Sequence, residues 1–450
     1  MGMENRTREQ LVVVVGEQAE TILRLTRRVQ DLQTQLDQLR QEVARSAAPF
    51  RRPEAQKIPP ADHKKPGRRV GHVGVNRPTP DHIDHIVCVP LTCCPHCQGA
   101  VTDCRDHVQF IEEIPVVTPT VTRLTTQSGV CPQCGPVATT HPLQTGRGHH
   151  ASRVQLGPRA LALAATLNKH HGLSMRKTCR VLDEACGLKL SAGGLSQALD
   201  RLADRLDGDY QQLFADVRAG PVAYVDETSW WVGGPGHWLW VFASPTTILY
   251  RVTDSRASAV VHATLTPDYA GVLVTDCLNI YDNAVPFESK PKCIAHHQKA
   301  IREQLASPGL GDRTYLESWK GLFQVVCRIT AKRELLGEET FAYHRSRCEA
   351  KRDALLDHVV TQPEDVRIQN RLLKQRPYLL GCLEHPEVDA TNNRAERALR
   401  PAVIARKISC GNKTARGAKT FERLASLAAT WWQRGKNIVN EFTQRARIRR

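Results

Sequence analysis

No stretch of this chain approaches the ~20 consecutive apolar residues that a membrane-crossing helix requires, so a spanning protein is not expected. The short run Leu11-Val12-Val13-Val14-Val15 breaks straight into polar sequence and is too short for a signal-peptide core. Acidic charge is in deficit: 46 Asp and Glu stand against 62 Lys and Arg, a formal charge of +16. An excess of that size points to a polyanionic partner, nucleic acid before an anionic membrane surface. The fifteen cysteines lack the even, compact spacing of a disulfide framework. Their odd number and two C-x-x-C pairs favour reduced thiols, a metal site and a cytoplasmic setting.

With 450 residues, 24% charged and 41% hydrophobic, the chain has room for two to four globular units. Within residues 1–46, Leu11, Val15, Gln18, Ile22, Leu25, Val29, Leu32, Leu36, Leu39 and Val43 alternate steps of four and three. A narrow apolar seam of this kind predicts a coiled coil and self-association, against an amphipathic helix packed on its own protein. Residues 47–85 are rich in Pro, Gly, Lys and Arg without periodicity and read as a basic flexible linker.

Residues 86–150 hold Cys94-Pro95-His96-Cys97 and Cys131-Pro132-Gln133-Cys134-Gly135. Between them Val108 to Ile114 and Thr120 to Thr126 have strand composition. Two such knuckles predict a zinc ribbon in which Cys94, Cys97, Cys131 and Cys134 hold Zn²⁺, closing its coordination shell for a structural role. Cys93 is a substitute for Cys94, with Cys88 and Cys104 as bystanders. Residues 151–215 read as helical. Pro158 opens the first helix, Ser174 caps Met175 to Ala185 before Gly187, and Ser191 or Ala192 opens a third, in either a helix-turn-helix or a plain spacer.

From residue 216 the pattern becomes mixed α/β. Val222-Ala223-Tyr224-Val225 ends in Asp226, and Gly271 to Thr275 runs into Asp276. Strand-like runs His237 to Phe242 and Ile248 to Val252, a helix from Ser255 to Leu265 and a last strand Pro291 to Ile294 complete the reading. Carboxylates at strand ends are rigidly placed hard ligands, the kind that two-metal phosphodiester chemistry needs. A lone strand-end Asp is otherwise a turn or cap residue. Glu227, Asp254 and Asp282 are alternative acids, and His296 and His297 stand near by.

Tyr224-Val225-Asp226-Glu227-Thr228, the Trp-rich hairpin, Val274-Thr275-Asp276 with Tyr281, and Cys293-Ile294-Ala295-His296 resemble the core of an insertion sequence 66 family transposase. Asn392-Asn393-Arg394-Ala395-Glu396-Arg397-Ala398-Leu399-Arg400-Pro401, then Arg406, Lys407 and Gly411, is similar to that family's C-terminal segment. The resemblance implies an α/β, ribonuclease-H-like catalytic domain preceded by the coiled coil, zinc ribbon and helical segment. It implies a DDE transposase whose Asp226, Asp276 and Glu396 bind Mg²⁺ or Mn²⁺, cut element ends and join 3′-hydroxyls to target DNA. The core then spans residues 216–307 and 389–450, with a helical insertion at 308–388 read as Thr314 to Ala331, Glu338 to Thr361 and Val366 to Leu383. Arg397, Arg400, Arg406 and Lys407 become candidate DNA contacts, and accessory transposition proteins and a nucleoid location are expected. Where the family has Gly after the second acid, this chain has Cys277. The competing reading is a degenerate zinc-ribbon DNA-binding protein with a regulatory or structural role.

Overall fold

The computed structural model describes residues 18–36 in part, then 71–74, 77–146, 154–282, 290–306 and 311–447. They fall into two compact units, Met1–Glu113 and Ile114–Arg450. In the first, the described residues between Gln18 and Leu36 are helical. Seam residues Ile22, Leu25 and Val29 are 64, 57 and 53% exposed, an apolar stripe left open to water. Seam positions Leu11, Val15, Leu39 and Val43 and linker residues 47–70 lie outside the described residues.

The strands expected over Val108 to Ile114 and Thr120 to Thr126 do not form. β-Branched composition favours extended backbone, but a ladder needs a partner, and Val108, Ile111, Ile114 and Val121 remain exposed. A hairpin does form across the second knuckle, β1 (Ser128–Cys131) against β2 (Gly135–Ala138).

Helices α1 (Pro158–Ala165), α2 (Met175–Cys186), α3 (Ala192–Arg205) and α4 (Asp207–Arg218) follow. Their boundaries obey the expected caps: Ser174 Oγ accepts from Lys177 N, Gly187 closes α2 at φ 65°, and Ser191 Oγ accepts from Gly194 N. α1 continues into a π-helical turn, Thr166–His170. Strands β3 (Val222–Trp230), β4 (His237–Ala243) and β5 (Ile248–Thr253) then pair antiparallel. Helix α5 (Ala259–Leu265), starting four residues later than Ser255, crosses to β6 (Val272–Val274). β6 joins β3 in parallel, giving the order β5-β4-β3-β6.

Period-two alternation sends the strand side chains into two cores. Ala223, Val225, Trp240, Phe242 and Leu273 face the N-terminal helices, while Tyr224, Leu239, Val241, Val272 and Val274 face the opposite layer. That second layer begins, after the short α6 (Asn279–Asp282), with α7 (Ile294–Ala306) and α8 (Arg313–Ala331). It continues through α9 (Glu338–Leu356), α10 (Pro363–Lys374), α11 (Gly381–Glu384) and α12 (Asn393–Ser409). The chain closes with α13 (Ala415–Gln433) and α14 (Ile438–Ala446).

Three expectations need correction. β3 runs on through Asp226 and Glu227, because its pairing with β4 extends to Trp230↔His237. Pro291 to Ile294 is not a strand but a single bridge, Thr275↔Lys292. Its amides are shared among three acceptors, Lys292 N to Tyr378 O, Cys293 N to Thr275 O and Ile294 N to Ala390 O, so no ladder propagates. The helix read over Val366 to Leu383 breaks into α10 and α11 at Arg376-Pro377-Tyr378, where Pro377 offers no amide to continue it.

The free edge of β5 is covered by α13. Ile248 N donates to Thr430 Oγ1, Tyr250 N to Ser426 Oγ and Val252 N to Glu422 Oε2, at 2.9, 2.8 and 2.8 Å. Residues 422, 426 and 430 recur every four positions along one face of α13 and meet alternate strand amides, which satisfies an edge that would otherwise pair with another chain.

Candidate active site

Parallel pairing of β3 with β6 stops at Tyr224↔Val274. Asp226 therefore sits where the ladder opens, and Asp276 follows β6 by two residues. Asp226 Oδ1 accepts from Glu227 N at 2.9 Å, and Asp276 Oδ1 accepts from Leu278 N at 3.0 Å. Glu396 lies in the first turn of α12. Asn392, fully buried just before that helix, donates from Nδ2 to Val225 O at 2.9 Å and from its backbone amide to Cys293 Sγ at 3.0 Å. Those two bonds anchor the start of α12 to the centre of the sheet, far as they are apart in sequence.

The acids share one electrostatic field. Burial pushes Asp226 up to about 7, and the negative charges of Glu227, Asp276 and Glu396 add to the shift. Glu227 is already committed: Arg256 Nε and Nη2 both donate to its Oε1, at 2.9 and 2.7 Å, and the Tyr281 hydroxyl donates to Oε2. Arg256 also lies over the Trp238 ring at 4.4 Å. A buried carboxylate so neutralised is a structural pillar rather than an open ligand. Asp254 is exposed, and the side chain of Asp282 lies outside the described residues.

Asp226, Asp276 and Glu396 carry hard oxygens of the chemistry that suits Mg²⁺ or Mn²⁺, but among the described residues they do not form a group with ligand atoms within 4.8 Å of one another. Sequence reading passed over a second grouping around the same glutamate. Ligand atoms of Cys293, His296 and Glu396 lie within 4.8 Å of one another, and His296 Nδ1 is buried with no hydrogen-bond partner among the described residues. The C-x-x-H spacing at the start of α7 was the available signal, since residues three apart share a helix face. Burial pushes the Cys293 thiol up to about 11, so it is a neutral acceptor of backbone amides before it is a metal ligand.

Cys277 is not among the described residues with positive φ, so the side chain is tolerated where the family has Gly. Its Sγ lies 3.3 Å from His297 Nε2. His297 is 2% exposed, stacks on Phe323 at 5.7 Å, and is held neutral, down at about 3, by burial and by the cations Arg371 and Lys292 beside His296. It is a core residue.

On α12, Arg397, Arg400 and Lys407 are exposed, and Arg397 and Arg400 make no ion pair or hydrogen bond among the described residues. Arg406 differs. It donates to Thr228 Oγ1 and Ser229 Oγ, both at 3.0 Å, and to Ser229 O, fastening α12 to β3.

The two cysteine knuckles belong to separate units. In one, the amides of Cys97 and His96 lower the Cys94 thiol from its ordinary value. In the other, at the β1–β2 turn with Gly135 at φ 73°, the amides of Cys134 and Gln133 do the same for Cys131. The first cysteine of each knuckle is thus shifted towards thiolate, the form that zinc requires.

Residues 153–420, more than half of the chain, match the sequence model of the family described as Transposase IS66 family. The chain is also 24% identical over 290 residues to the Uncharacterized protein y4qI of Sinorhizobium fredii (strain NBRC 101917 / NGR234). That match covers 57% of this chain and 53% of the relative, so the chain spans about half the length of the curated relative it matches. Among the described residues no helix is long and apolar enough to cross a membrane.

Proposed function

Because the chain belongs to the IS66 family of transposases, we propose that it is a metal-dependent DDE enzyme that cuts element ends and joins their 3′-hydroxyls to target DNA. What supports this reading is that the charges of Asp276 and Glu396 both act on the buried Asp226. Burial lifts Asp226 on β3 to about 7, and the charges of Glu227, of Asp276 after β6 and of Glu396 on α12 add to the shift. The strand order β5-β4-β3-β6, three antiparallel and the fourth parallel, supports a ribonuclease-H-like core with residues 308–388 inserted before the third acid.

Divalent cations bound here would supply Lewis-acid activation of water or of a 3′-hydroxyl. The chain's own residues do the rest. Asp226 and Asp276 are held by backbone amides, and Asn392 ties the start of α12, which carries Glu396, to Val225 beside Asp226. Arg397 and Arg400 offer unpaired guanidinium groups to phosphates. The open heptad seam brings two copies together, and the zinc knuckles and basic linker add DNA affinity. Accessory transposition proteins and a nucleoid-associated cytoplasmic location belong to the same proposal.

The test is Mn²⁺-dependent cleavage and joining of the element's end DNA by wild type, Asp226→Asn, Asp276→Asn and Glu396→Gln. Loss in all three variants, with DNA binding and thermal unfolding retained, is the expected result. Activity surviving one substitution removes that acid from the site. Wild-type inactivity with accessory proteins present favours the regulatory DNA-binding reading.

A further inference from the structure

A cavity of about 550 Å³ opens on the far side of α12 from the acids. Its floor is Tyr250 of the covered edge strand, and its walls are α12, α13 and the π-helical turn after α1. The π turn, closed by His171 N donating to Thr166 O at 3.0 Å, brings Lys169 and His170 to the cavity. Such turns are rare, and where they occur they often re-aim functional side chains.

Three features of the lining point to one kind of occupant. First, Lys169, Arg394 and Arg397 line it, and none of its lining residues is acidic. Arg394 is paired with Asp389 at 3.5 Å, but Arg397 has no partner among the described residues. Lys169 Nζ lies over the face of Phe421 at 5.8 Å and is attracted by the charge of Asp200. Second, the apolar part includes Ala398, Ala402, Ala425 and Ala429, small residues that leave room for a flat ring. Third, Trp432 stands at the mouth 65% exposed, its ring 5.3 Å from that of His170. A large aromatic held open beside cations is the combination that stacks a base and binds its phosphate.

We propose that this cavity receives one unstacked nucleotide of a DNA strand, its base against the Trp432 indole and its phosphate against Lys169 and Arg397. Glu396 and Arg397 are consecutive on α12 but about 100° apart around its axis, so the nucleotide held in the cavity lies on a different face of the helix from the acids. Duplex DNA must open at that position, and a cut or frayed end enters more readily than a paired one. The proposal rests on the DNA-cutting reading for its biological sense, but its binding test does not depend on cutting.

The probe is a thymidine pentanucleotide carrying one central 2-aminopurine, titrated with the full chain in the absence of divalent cation. Wild type quenches the probe on binding. Trp432→Ala and Lys169→Gln weaken binding about tenfold each, within the range for losing one stacked base or one phosphate contact. A fully paired blunt duplex binds wild type and Trp432→Ala equally. Trp432 is on the surface, so its replacement leaves the fold intact. Equal probe affinity in wild type and Trp432→Ala overturns the proposal, as does displacement of the probe by inorganic phosphate as readily as by thymidine monophosphate. Asp226→Asn binds the probe as wild type does, so an inactive enzyme that still binds it separates failure of the catalytic reading from failure of this one.

Discussion

Lys169 shows how a single residue carries information that composition hides. In sequence it is one of many cations; in the fold, burial lowers its pKa to about 8, against the pull of Asp200. A lysine whose folded pKa lies below its unfolded value near 10.5 is less stable charged in the fold than out of it. The penalty is complete below pH 8, fades as pH rises from 8 towards 10.5, and is absent above. Lys169→Met is therefore expected to raise stability at pH 7 by on the order of 2 kcal/mol, with the gain shrinking towards pH 10.5 in urea titrations. A constant gain across that range would assign the effect to packing instead. Asp226 and Glu227 make the complementary point. They are adjacent acids of similar appearance in sequence, yet Arg256 and Tyr281 engage Glu227 while Asp226 accepts from a backbone amide.

At the scale of elements, the molecule depends on joints between segments remote in the chain. The turn after α12 packs on the Trp-rich hairpin: Asn412 N donates to Trp231 O at 2.8 Å, and Trp230 Nε1 donates to Asn412 Oδ1 at 2.8 Å. Gly411 makes this possible, with φ at 100° and a position where a Cβ would lie 2.5 Å from Trp231 O. Gly411→Ala should destabilise the protein by on the order of 2 kcal/mol. Chemical denaturation would show it as a lowered midpoint with unchanged slope. A neutral outcome would mean that the joint opens without consequence for the fold. Helix caps were readable at this scale because Ser174, Gly187 and Ser191 act within one turn. The lack of a strand at Pro291 to Ile294 was not, because its amides are claimed by Tyr378, Thr275 and Ala390.

For the whole molecule, the seam of Ile22, Leu25, Val29, Leu32 and Leu36 is an apolar stripe exposed among the described residues. Heptads of this kind associate because the apolar stripe is buried only between helices. Removal of residues 1–46 is expected to lower the mass measured by light scattering to that of one chain, while the far-ultraviolet spectrum of the remainder keeps its mixed α/β shape. An unchanged mass would move self-association elsewhere in the protein. The same deletion should leave binding of a single oligonucleotide intact and abolish pairing of two DNA ends.

Sequence alone determined what depends on local order. Heptad spacing, the cysteine knuckles, the helix caps and the alternating strands all follow from neighbours within a few residues, and the three candidate acids from a motif read as a block. Tertiary structure decided the rest. It kept Asp226 inside a strand rather than at its end, because β4 pairs beyond it. It neutralised Glu227, gathered Cys293 and His296 around Glu396, and turned Arg406 inward to β3. It also joined the turn after α1 to α12 and α13 around a cationic cavity. The physical reason is common to all of these. Burial and Coulomb interactions depend on distance in space, and two residues hundreds of positions apart acquire a shared environment only when packing brings them together.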